Sequence, residues 1–321
     1  MKTALLIAAV DRSIGGVLLF GDRGTGKSTS IRALARLLPK MDAWSECPYS
    51  CSGASACEHV DKSNQRNKVR KIAAPVVDLP LGVSEDRVVG AMDIERALGH
   101  GEKSFEPGLL AKANRGFLYI DEVNLLEDHI VDLLLDVAAS GENLVEREGF
   151  SIRHPAQFVL IGSGNPEEGE LRPQLLDRFG LAVDVVTPTT VDERVEVLRR
   201  RDAFELDRQA YQRKWAAQEG RWRKRVQNAT GSLARIRVGD EALEKAAELC
   251  IALAIDGSRG ELTLIKSARA MAALAGDRAV TLAHLRRAAP MSLSHRLRRD
   301  PLDESTSTTR IERALEEVLP A

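Results

Sequence analysis

The sequence predicts an α/β fold built on a doubly wound parallel sheet and followed by a smaller helical domain. Over the first 188 residues, short apolar runs alternate with helical patterns, which is typical of parallel strands covered by helices. After Pro188 the periodic segments are helical. The 321 residues suffice for more than one core. We expect a nucleotide-binding sheet domain over residues 1–188, a helical linker over 189–238 and a C-terminal helical domain over 239–321.

Five apolar runs, each short and continuous, are predicted to be the strands of the sheet. They cover residues 17–20, 76–79, 116–121, 158–163 and 181–186. Amphipathic patterns predict intervening helices over residues 28–38 and 127–139. Two further segments, residues 99–108 and 143–155, are predicted to be hairpins that project from the sheet, the second with alternating residues on both sides of its turn.

The opening segment MKTALLIAAVDRS is predicted to be the first helix of the sheet domain. It resembles a short signal peptide, but it lacks a small-residue cleavage site and leads directly into the first strand. No apolar run in the sequence reaches the roughly 18 residues that a membrane-spanning helix needs. We therefore expect a cytoplasmic protein.

The segment GDRGTGKST carries the strongest chemical signal. It satisfies the pattern G-x-x-x-x-G-K-[ST] and lies between a predicted strand and a predicted helix, as a phosphate-binding loop requires. Its glycines allow backbone N–H groups to surround phosphates at a helix N-terminus. Lys27 is expected to reach the outer phosphates, and Ser28 to offer its hydroxyl to Mg²⁺. The predicted nucleotide-binding residues are Gly21, Asp22, Arg23, Gly24, Thr25, Gly26, Lys27, Ser28 and Thr29.

The run FLYIDE, residues 117–122, predicts the catalytic acids. Four residues of buried strand end in two carboxylates at the carboxyl edge of the sheet, where α/β proteins bind their ligands. Asp121 is expected to hold Mg²⁺ through water, and Glu122 to activate the attacking water. A Glu directly after the Asp favours hydrolysis over phosphoryl transfer to a second substrate.

Three further polar residues are candidates for the same reaction. Asn165 follows a buried strand and is expected to position the water beside Glu122. Arg178 precedes the last strand, where it either enters a neighbouring subunit's nucleotide site or forms a surface ion pair with Asp177. Arg259 begins a helix of the second domain and is expected to reach the outer phosphates, which would link nucleotide state to domain angle.

Three of the four cysteines lie together in ECPYSCSGASACEH. Cys47, Cys51, Cys57 and His59 supply four soft ligands, but their spacing matches no common zinc knuckle. A metal site and a solvated loop with reduced thiols therefore both stay open, whereas a disulfide is not expected in the cytosol. Cys250 lies in a helical pattern and is predicted to be a small core residue.

The formal net charge of −1 gives no signal for binding a polyanion. The basic run RWRKR, residues 221–225, is more typical of a solvated helix face than of a nucleic-acid contact. None of the six histidines has a metalloprotease spacing, and no Ser-His-Asp arrangement is visible. A second active site is not predicted.

In the order of these motifs the chain resembles the AAA+ ATPases: a phosphate loop, an acidic strand, a sensor Asn, a finger Arg and a helical lid with a second sensor Arg. Longer stretches resemble the magnesium chelatase subunit I family. They are LPLGVSEDRVVGAMDIERAL, FEPGLLAKANRGFLYIDEVNLLEDHIVDLLLDVAASGEN, GNPEEGELRPQLLDRFGL and SHRLRRDPLDE. The similarity covers nearly the whole chain, although residues 47–59 and 202–238 match poorly.

This resemblance implies an ATP-hydrolysing motor subunit that uses ATP and Mg²⁺ and forms a homo-oligomeric ring, usually a hexamer. It implies two partners, namely a larger subunit with a related AAA+ domain and an integrin-like domain, and a very large porphyrin-binding subunit. There Mg²⁺ enters protoporphyrin IX at the start of chlorophyll and bacteriochlorophyll synthesis. The family roles are first sensor for Asn165, finger in trans for Arg178 and second sensor for Arg259. Members of this family usually carry a further segment before the position that corresponds to Met1, including a stretch that packs near the adenine.

Two alternatives stay open at this point. A cobalt chelatase has the same ATPase residues, because another subunit chooses the metal and the tetrapyrrole. An AAA+ remodeller or DNA motor shares the inserts and sensors, and RWRKR is the one feature of the sequence that favours it. The predicted hairpin tips, in contrast, are mixed in charge.

Overall fold

The computed structural model describes residues 1–22, 24–52, 57, 59, 68–93, 105–147, 150–165, 171, 173–297 and 307–320. Its strands are β1 (Gly16–Phe20), β2 (Met41–Trp44), β3 (Val69–Ile72), β4 (Val76–Leu79), β5 (Gly90–Met92), β6 (Phe105–Pro107), β7 (Phe117–Ile120), β8 (Glu142–Arg147), β9 (Phe150–Pro155), β10 (Val159–Gly164) and β11 (Phe179–Asp184).

Its α-helices are α1 (Lys2–Val10), α2 (Lys27–Leu37), α3 (Glu85–Val89), α4 (Leu109–Ala113), α5 (Asp128–Ser140), α6 (Pro173–Arg178), α7 (Val191–Leu206), α8 (Arg208–Ser232), α9 (Asp240–Ala252), α10 (Arg259–Ala275), α11 (Leu282–Leu293) and α12 (Ser307–Val318). Short 3-10 turns cover Arg12–Ile14, Val123–Leu125, Leu233–Arg235 and Ser294–Arg296.

The predicted fold class is confirmed. Five parallel strands form one sheet in the order β11-β1-β10-β7-β4. Side chains alternate between the two faces, as the period of a strand requires. In β7, Phe117 and Tyr119 belong to the core that includes α1, whereas Leu118 and Ile120 belong to the core that includes α5. The sheet is therefore buried on both faces, which explains why its strands are continuous apolar runs.

The five predicted strands are all present, β4 with the predicted bounds and the other four with ends shifted by one or two residues. The last strand begins at Phe179, two residues before the predicted start, because α6 ends at Arg178 and leads directly into it. Helix α1 occupies the predicted first helix, and residues 4–10 within it are buried. The antiparallel ribbon of β2 and β3 was not predicted, since only Ala43 of its residues is buried and its strands show no strong apolar period.

The predicted hairpin at residues 143–155 is confirmed as the antiparallel pair β8 and β9, in which Arg147 lies opposite Phe150. Most of the other predicted hairpin, residues 99–104, lies outside the described residues. Its described end, Phe105–Pro107, pairs with Gly90–Met92, a segment that precedes the predicted hairpin.

The helices of the C-terminal region pack on the same face of the sheet as α1. Residues of α9, α10, α11 and α12 share one core with residues of α1 and β1, and Lys266 Nζ donates to the Ser13 carbonyl at 2.9 Å. Helix α7 has no buried residue. The division at residues 188 and 238 stays a prediction.

The basic run at residues 221–225 lies on α8 with its four basic residues exposed, as expected of a solvated helix face, and two of its arginines also bond to carbonyls of other helices. Arg223 Nη2 donates to the Arg36 carbonyl at 2.7 Å, and Arg225 Nε donates to the Leu274 carbonyl at 2.5 Å. Trp222 packs against the core, with Lys2 Nζ 4.1 Å from its ring centroid. These contacts dock α8 on α2 and α10, so the run has a structural role.

Among the helices of the described ranges, none combines the length and the apolar character that a bilayer crossing requires.

Candidate nucleotide-binding site

A cavity of about 390 Å³ lies at the carboxyl edge of the sheet. It is lined by residues 24–29 and by Asp121, Glu122, Ser163, Gly164 and Asn165. The structure therefore brings together the loop after β1, the two acids after β7 and the amide after β10. These strands are neighbours in the sheet, and the carboxyl ends of parallel strands meet at one edge.

Two glycines of the loop are required by its backbone. Gly26, directly before α2, has φ of 80°, which L side chains rarely adopt. At Gly21, an added Cβ would lie 2.1 Å from the Val185 carbonyl oxygen, since the loop passes close to the segment after β11. Arg23 lies outside the described residues.

The Lys27 ammonium lies against the loop itself. Nζ donates to the carbonyl oxygens of Gly21 at 2.6 Å and of Asp22 at 3.0 Å. An anionic phosphate oxygen is a stronger acceptor than a neutral carbonyl, because charge-assisted hydrogen bonds are roughly twice as strong. The two carbonyls thus hold the Lys27 ammonium next to the cavity, and a bound phosphate can replace them as its hydrogen-bond acceptor.

A network of hydroxyl groups connects Ser28 with Asp121. Tyr119 Oη donates to Asp121 Oδ1 at 2.7 Å, and Ser163 Oγ donates to the same oxygen at 2.6 Å. Ser28 Oγ lies 3.0 Å from Tyr119 Oη. Because the single proton of Tyr119 is directed at Asp121, Ser28 is the donor in this contact. The lone pairs of Ser28 therefore stay available for a cation.

The surroundings of Asp121 favour its ionised form. Burial is the largest single influence and raises its pKa. Hydrogen bonds from Ser163 and Tyr119 lower the pKa, and so do the positive charges of Lys27 and Arg32. Together these influences exceed that of burial, and the pKa of Asp121 lies below its usual value. A carboxylate in this state is a suitable partner for a divalent cation.

Glu122 and Asn165 line the cavity opposite the loop. Glu122 follows β7 with φ of 55°, and its N–H donates to Ser163 Oγ at 3.3 Å. Asn165 is buried at the end of β10. Tyr119 and Ser163 were not among the residues predicted for the site. The alternation of side chains along β7 could have indicated Tyr119, because residues two apart in a strand lie on the same face and Asp121 follows Tyr119 by two.

Among the described residues, the cavity lining does not include Arg178 or Arg259. The Arg178 guanidinium donates to Asp136 on α5, which is a correction, because the predicted alternative was an ion pair with Asp177. Consecutive helix residues point in different directions and do not face each other. Asp177 instead accepts hydrogen bonds from two arginines of the C-terminal region, Arg259 Nη1 at 2.8 Å and Arg296.

The cysteine loop lies elsewhere in the fold, but its four candidate ligands converge. The ligand atoms of Cys47, Cys51, Cys57 and His59 all lie within 4.8 Å of one another. Burial raises the pKa of the Cys51 and Cys57 thiols, and neighbouring thiols add to the effect at Cys51. The alternative of a solvated loop is wrong for Cys47 and Cys57, which are buried. Cys250 is a buried core residue, as predicted.

Comparisons with known proteins agree with this geometry. Residues 1–174 match the family model described as magnesium chelatase, subunit ChlI, and residues 243–315 match the AAA lid domain. The magnesium-chelatase 38 kDa subunit of Cereibacter sphaeroides is 61% identical over 320 residues, covering 100% of this chain and 96% of that protein.

Two solved structures are also similar. A structure of the complex between subunits BchI and BchD of magnesium chelatase, based on cryo-EM, aligns with a TM-score of 0.54 and 57% identity, over 98% of this chain and 95% of that chain. A candidate ATPase from Cytophaga hutchinsonii aligns with a TM-score of 0.67 and 18% identity, over 98% and 88% of the two chains, and is similar in fold alone. With a family model over more than half of its length and a relative at 61% identity, the chain belongs to the magnesium chelatase subunit I family.

Proposed function

We propose that this chain is the ATP-hydrolysing motor subunit of a magnesium chelatase, driving Mg²⁺ insertion into protoporphyrin IX to give Mg-protoporphyrin IX. The observation that carries the proposal is the cavity that joins the phosphate loop to Asp121, Glu122 and Asn165, in a chain of this family. The names of the relatives favour magnesium over cobalt as the inserted metal.

The cavity has the features that Mg-ATP requires. An added Cβ at Gly24 or Gly26 would meet nothing within 4 Å among the described residues, so the loop backbone is open to a ligand on this side. Lys27 and the start of α2 would hold the phosphates, whereas Ser28 and Asp121 would hold Mg²⁺. Bound there, Mg²⁺ supplies charge neutralisation on the phosphate oxygens.

Glu122 is the proposed general base. Its backbone N–H is bound to Ser163, which orients the residue at the cavity wall, and the Glu122 carboxylate accepts the proton of the attacking water. The buried Asn165 amide positions that water. Tyr119 and Ser163 keep Asp121 ionised and oriented through the hydrogen bonds that they donate.

Assembly into a ring would complete the site. Arg178 is the proposed finger that enters the site of a neighbouring copy, and Arg259 is the proposed second sensor of the lid. The complex of BchI with BchD supports a second, different chelatase subunit as partner. We propose that this partner is the larger subunit with a related AAA+ domain and an integrin-like domain. The third proposed partner is the large porphyrin-binding subunit in which chelation takes place.

The central test is Mg²⁺ insertion into protoporphyrin IX by the two partner subunits, measured with and without this chain and ATP. We expect insertion with the wild-type chain and none without it. Glu122→Gln should still bind nucleotide, but it should lose at least about 100-fold in hydrolysis, because general-base catalysis contributes on that order.

The matched control is Glu127→Gln, which makes the same chemical change at an exposed carboxylate paired with His129. This variant should retain hydrolysis and insertion. The magnesium assignment fails if the wild-type chain hydrolyses ATP but supports no insertion with competent partners. The base assignment fails if Glu122→Gln and Glu127→Gln behave alike.

The role of Arg178 in trans can be tested by mixing two inactive variants. Arg178→Ala keeps its own cavity residues, and Lys27→Ala keeps its Arg178. In a mixed ring the second variant can supply the arginine to the first, so we expect mixing to restore part of the hydrolysis. If native mass spectrometry shows mixed rings without any recovery, Arg178 does not act across the interface.

A further inference from the structure

Four candidate metal-ligand atoms lie close together in the loop after β2, away from the nucleotide cavity. The three sulfurs of Cys47, Cys51 and Cys57 and Nδ1 of His59 lie within 4.8 Å of one another. Three of the separations are short: 3.5 Å between the sulfurs of Cys47 and Cys57, 3.6 Å from Cys51 Sγ to His59 Nδ1 and 3.8 Å from Cys57 Sγ to His59 Nδ1.

These separations match the edges of a zinc coordination tetrahedron. With Zn–S near 2.3 Å and Zn–N near 2.05 Å, tetrahedral angles place two sulfurs about 3.8 Å apart, and a sulfur and a nitrogen about 3.6 Å apart. The ligand atoms thus surround a space for a single ion.

The first two ligands are fixed by a backbone turn. Ser50 N donates to the Cys47 carbonyl at 3.2 Å, and Ser50 has φ of 48°, which reverses the chain between the two cysteines. The turn is joined to the end of β2, because Cys47 N donates to the Trp44 carbonyl at 3.3 Å and Trp44 N donates to the Cys51 carbonyl at 3.4 Å. The two sulfurs are therefore brought together by the fold of the loop.

The loop is also anchored to the sheet domain. Asn114 Nδ2 donates to the Tyr49 carbonyl at 2.7 Å, and Arg115 Nη1 donates to the Ser50 carbonyl at 3.0 Å. The Tyr49 ring contacts the rings of His59 and His154, each with a centroid distance of 4.6 Å. The same Arg115 nitrogen also donates to the Asp42 carbonyl at 2.8 Å, so the guanidinium ties the turn to β2.

We propose that Cys47, Cys51, Cys57 and His59 bind one structural Zn²⁺. Thiolate sulfur and imidazole nitrogen are the ligands of structural zinc, and four protein ligands leave no open coordination position for catalysis. On binding, the three thiols lose their protons to solvent and become thiolates. The ion joins the turn after β2 to the segment that contains Cys57 and His59.

The position of this site sets its role. Asn114 and Arg115, which anchor the loop, precede β7, whereas Asp121 and Glu122 follow it. The strand of four residues alone spans about 13 Å, so the zinc site lies at the opposite edge of the sheet from the nucleotide cavity. The ion stabilises the loop and the adjoining sheet without contacting ATP.

The test is the zinc content of the tag-free, full-length chain expressed with added Zn²⁺. We expect about one zinc per chain in the wild type and in Cys250→Ala, the matched control at the buried cysteine of the lid, and near-background zinc in Cys57→Ser. The wild-type apoprotein titrated with Co²⁺ should show the intense visible bands of tetrahedral cobalt bound to thiolates. This second measurement does not depend on the folding of a variant.

Three results would overturn the proposal. They are a folded wild-type chain that contains no zinc and gives no cobalt bands, zinc binding that is unchanged in Cys57→Ser, or a disulfide between Cys47 and Cys57 in the intact mass of the purified protein. Chelation of the zinc should lower the melting temperature while ATP hydrolysis at low temperature stays within about twofold. A large loss of hydrolysis under those conditions would overturn the purely structural role.

Discussion

Asp177 joins the C-terminal helical region to the sheet domain. Replacing it by Asn measures how much this connection contributes to the free energy of unfolding. Its carboxylate accepts hydrogen bonds from Arg296, whose side chain is 2% exposed, and from Arg259. Arg296 also donates to the carbonyls of Phe179 at 2.9 Å and of Ser292 at 3.2 Å. Asp177→Asn removes the negative charge that compensates a buried guanidinium and leaves the two carbonyls in place.

The expected loss of stability follows from these contacts. Removal of one partner of a buried ion pair typically costs about 3–5 kcal/mol. Here the Asp177 side chain is 50% exposed and Arg296 keeps two carbonyl acceptors, so we expect about 2 kcal/mol. For a chain of this length, roughly 2 °C of melting temperature corresponds to 1 kcal/mol, which gives a decrease of about 4 °C.

The assay is thermal unfolding followed by circular dichroism, with Asp136→Asn as the matched control. Asp136 pairs with Arg178, and its side chain is 71% exposed, so this substitution should cost at most about 1 kcal/mol. If both variants melt at the same temperature, Asp177 does not compensate Arg296 and the argument from burial is refuted.

Two further predictions concern hydroxyl and imidazole groups. Tyr119→Phe removes one hydrogen bond to the Asp121 carboxylate, worth about 1.5 kcal/mol, so the Mg²⁺ concentration needed for half-maximal ATP binding should rise roughly tenfold. Tyr211→Phe on α8, the matched control, should leave that concentration unchanged. Burial, and after it the charge of Arg296, lowers the pKa of His295 to about 4. The unfolded state therefore binds more protons below pH 6.5, and the free energy of unfolding falls by about 2 kcal/mol between pH 7 and pH 5. His295→Gln should reduce this loss in denaturant titrations, and an equal loss in both proteins would contradict the prediction.

The sequence predicted the sheet and the cavity because both depend on local patterns. Each central strand is a continuous apolar run, since it is buried on both faces. The requirement for glycine at Gly26 is local to the turn, because its φ is 80°, whereas the requirement at Gly21 comes from the distant Val185 carbonyl. Asp121 and Glu122 follow a strand end, and the sheet order then places them beside the loop.

What the sequence did not predict depends on contacts between distant segments. Asp177 and Arg296 are 119 residues apart, and neither has a period or motif that points to the other. Only Ala43 of the ribbon of β2 and β3 is buried, so the ribbon has no apolar period. The convergence of Cys47 and Cys51 depends on a reversal at Ser50, a residue that gives no strong turn signal.

Two residues of α6, Asp177 and Arg178, form three ion pairs. The pair of Asp177 with Arg296 is buried on the arginine side, whereas the pairs Arg259–Asp177 and Arg178–Asp136 are exposed. Arg178 bound to Asp136 cannot also contact a phosphate in another subunit, so the proposed role in trans requires this pair to open. An exposed pair contributes about 0–1 kcal/mol, whereas an arginine finger contributes roughly 10³ in rate, or about 4 kcal/mol. Opening the pair between Arg178 and Asp136 therefore costs less free energy than the transition-state stabilisation that the finger would provide. The ion pair of Arg259 with Asp177 is also cheap to open, because the Arg259 side chain is 56% exposed. The pair of Arg296 with Asp177 is not, because the Arg296 side chain is buried. The proposed sensor role of Arg259 therefore requires Asp177 to release only the exposed Arg259, while the buried Arg296 keeps the C-terminal helices attached.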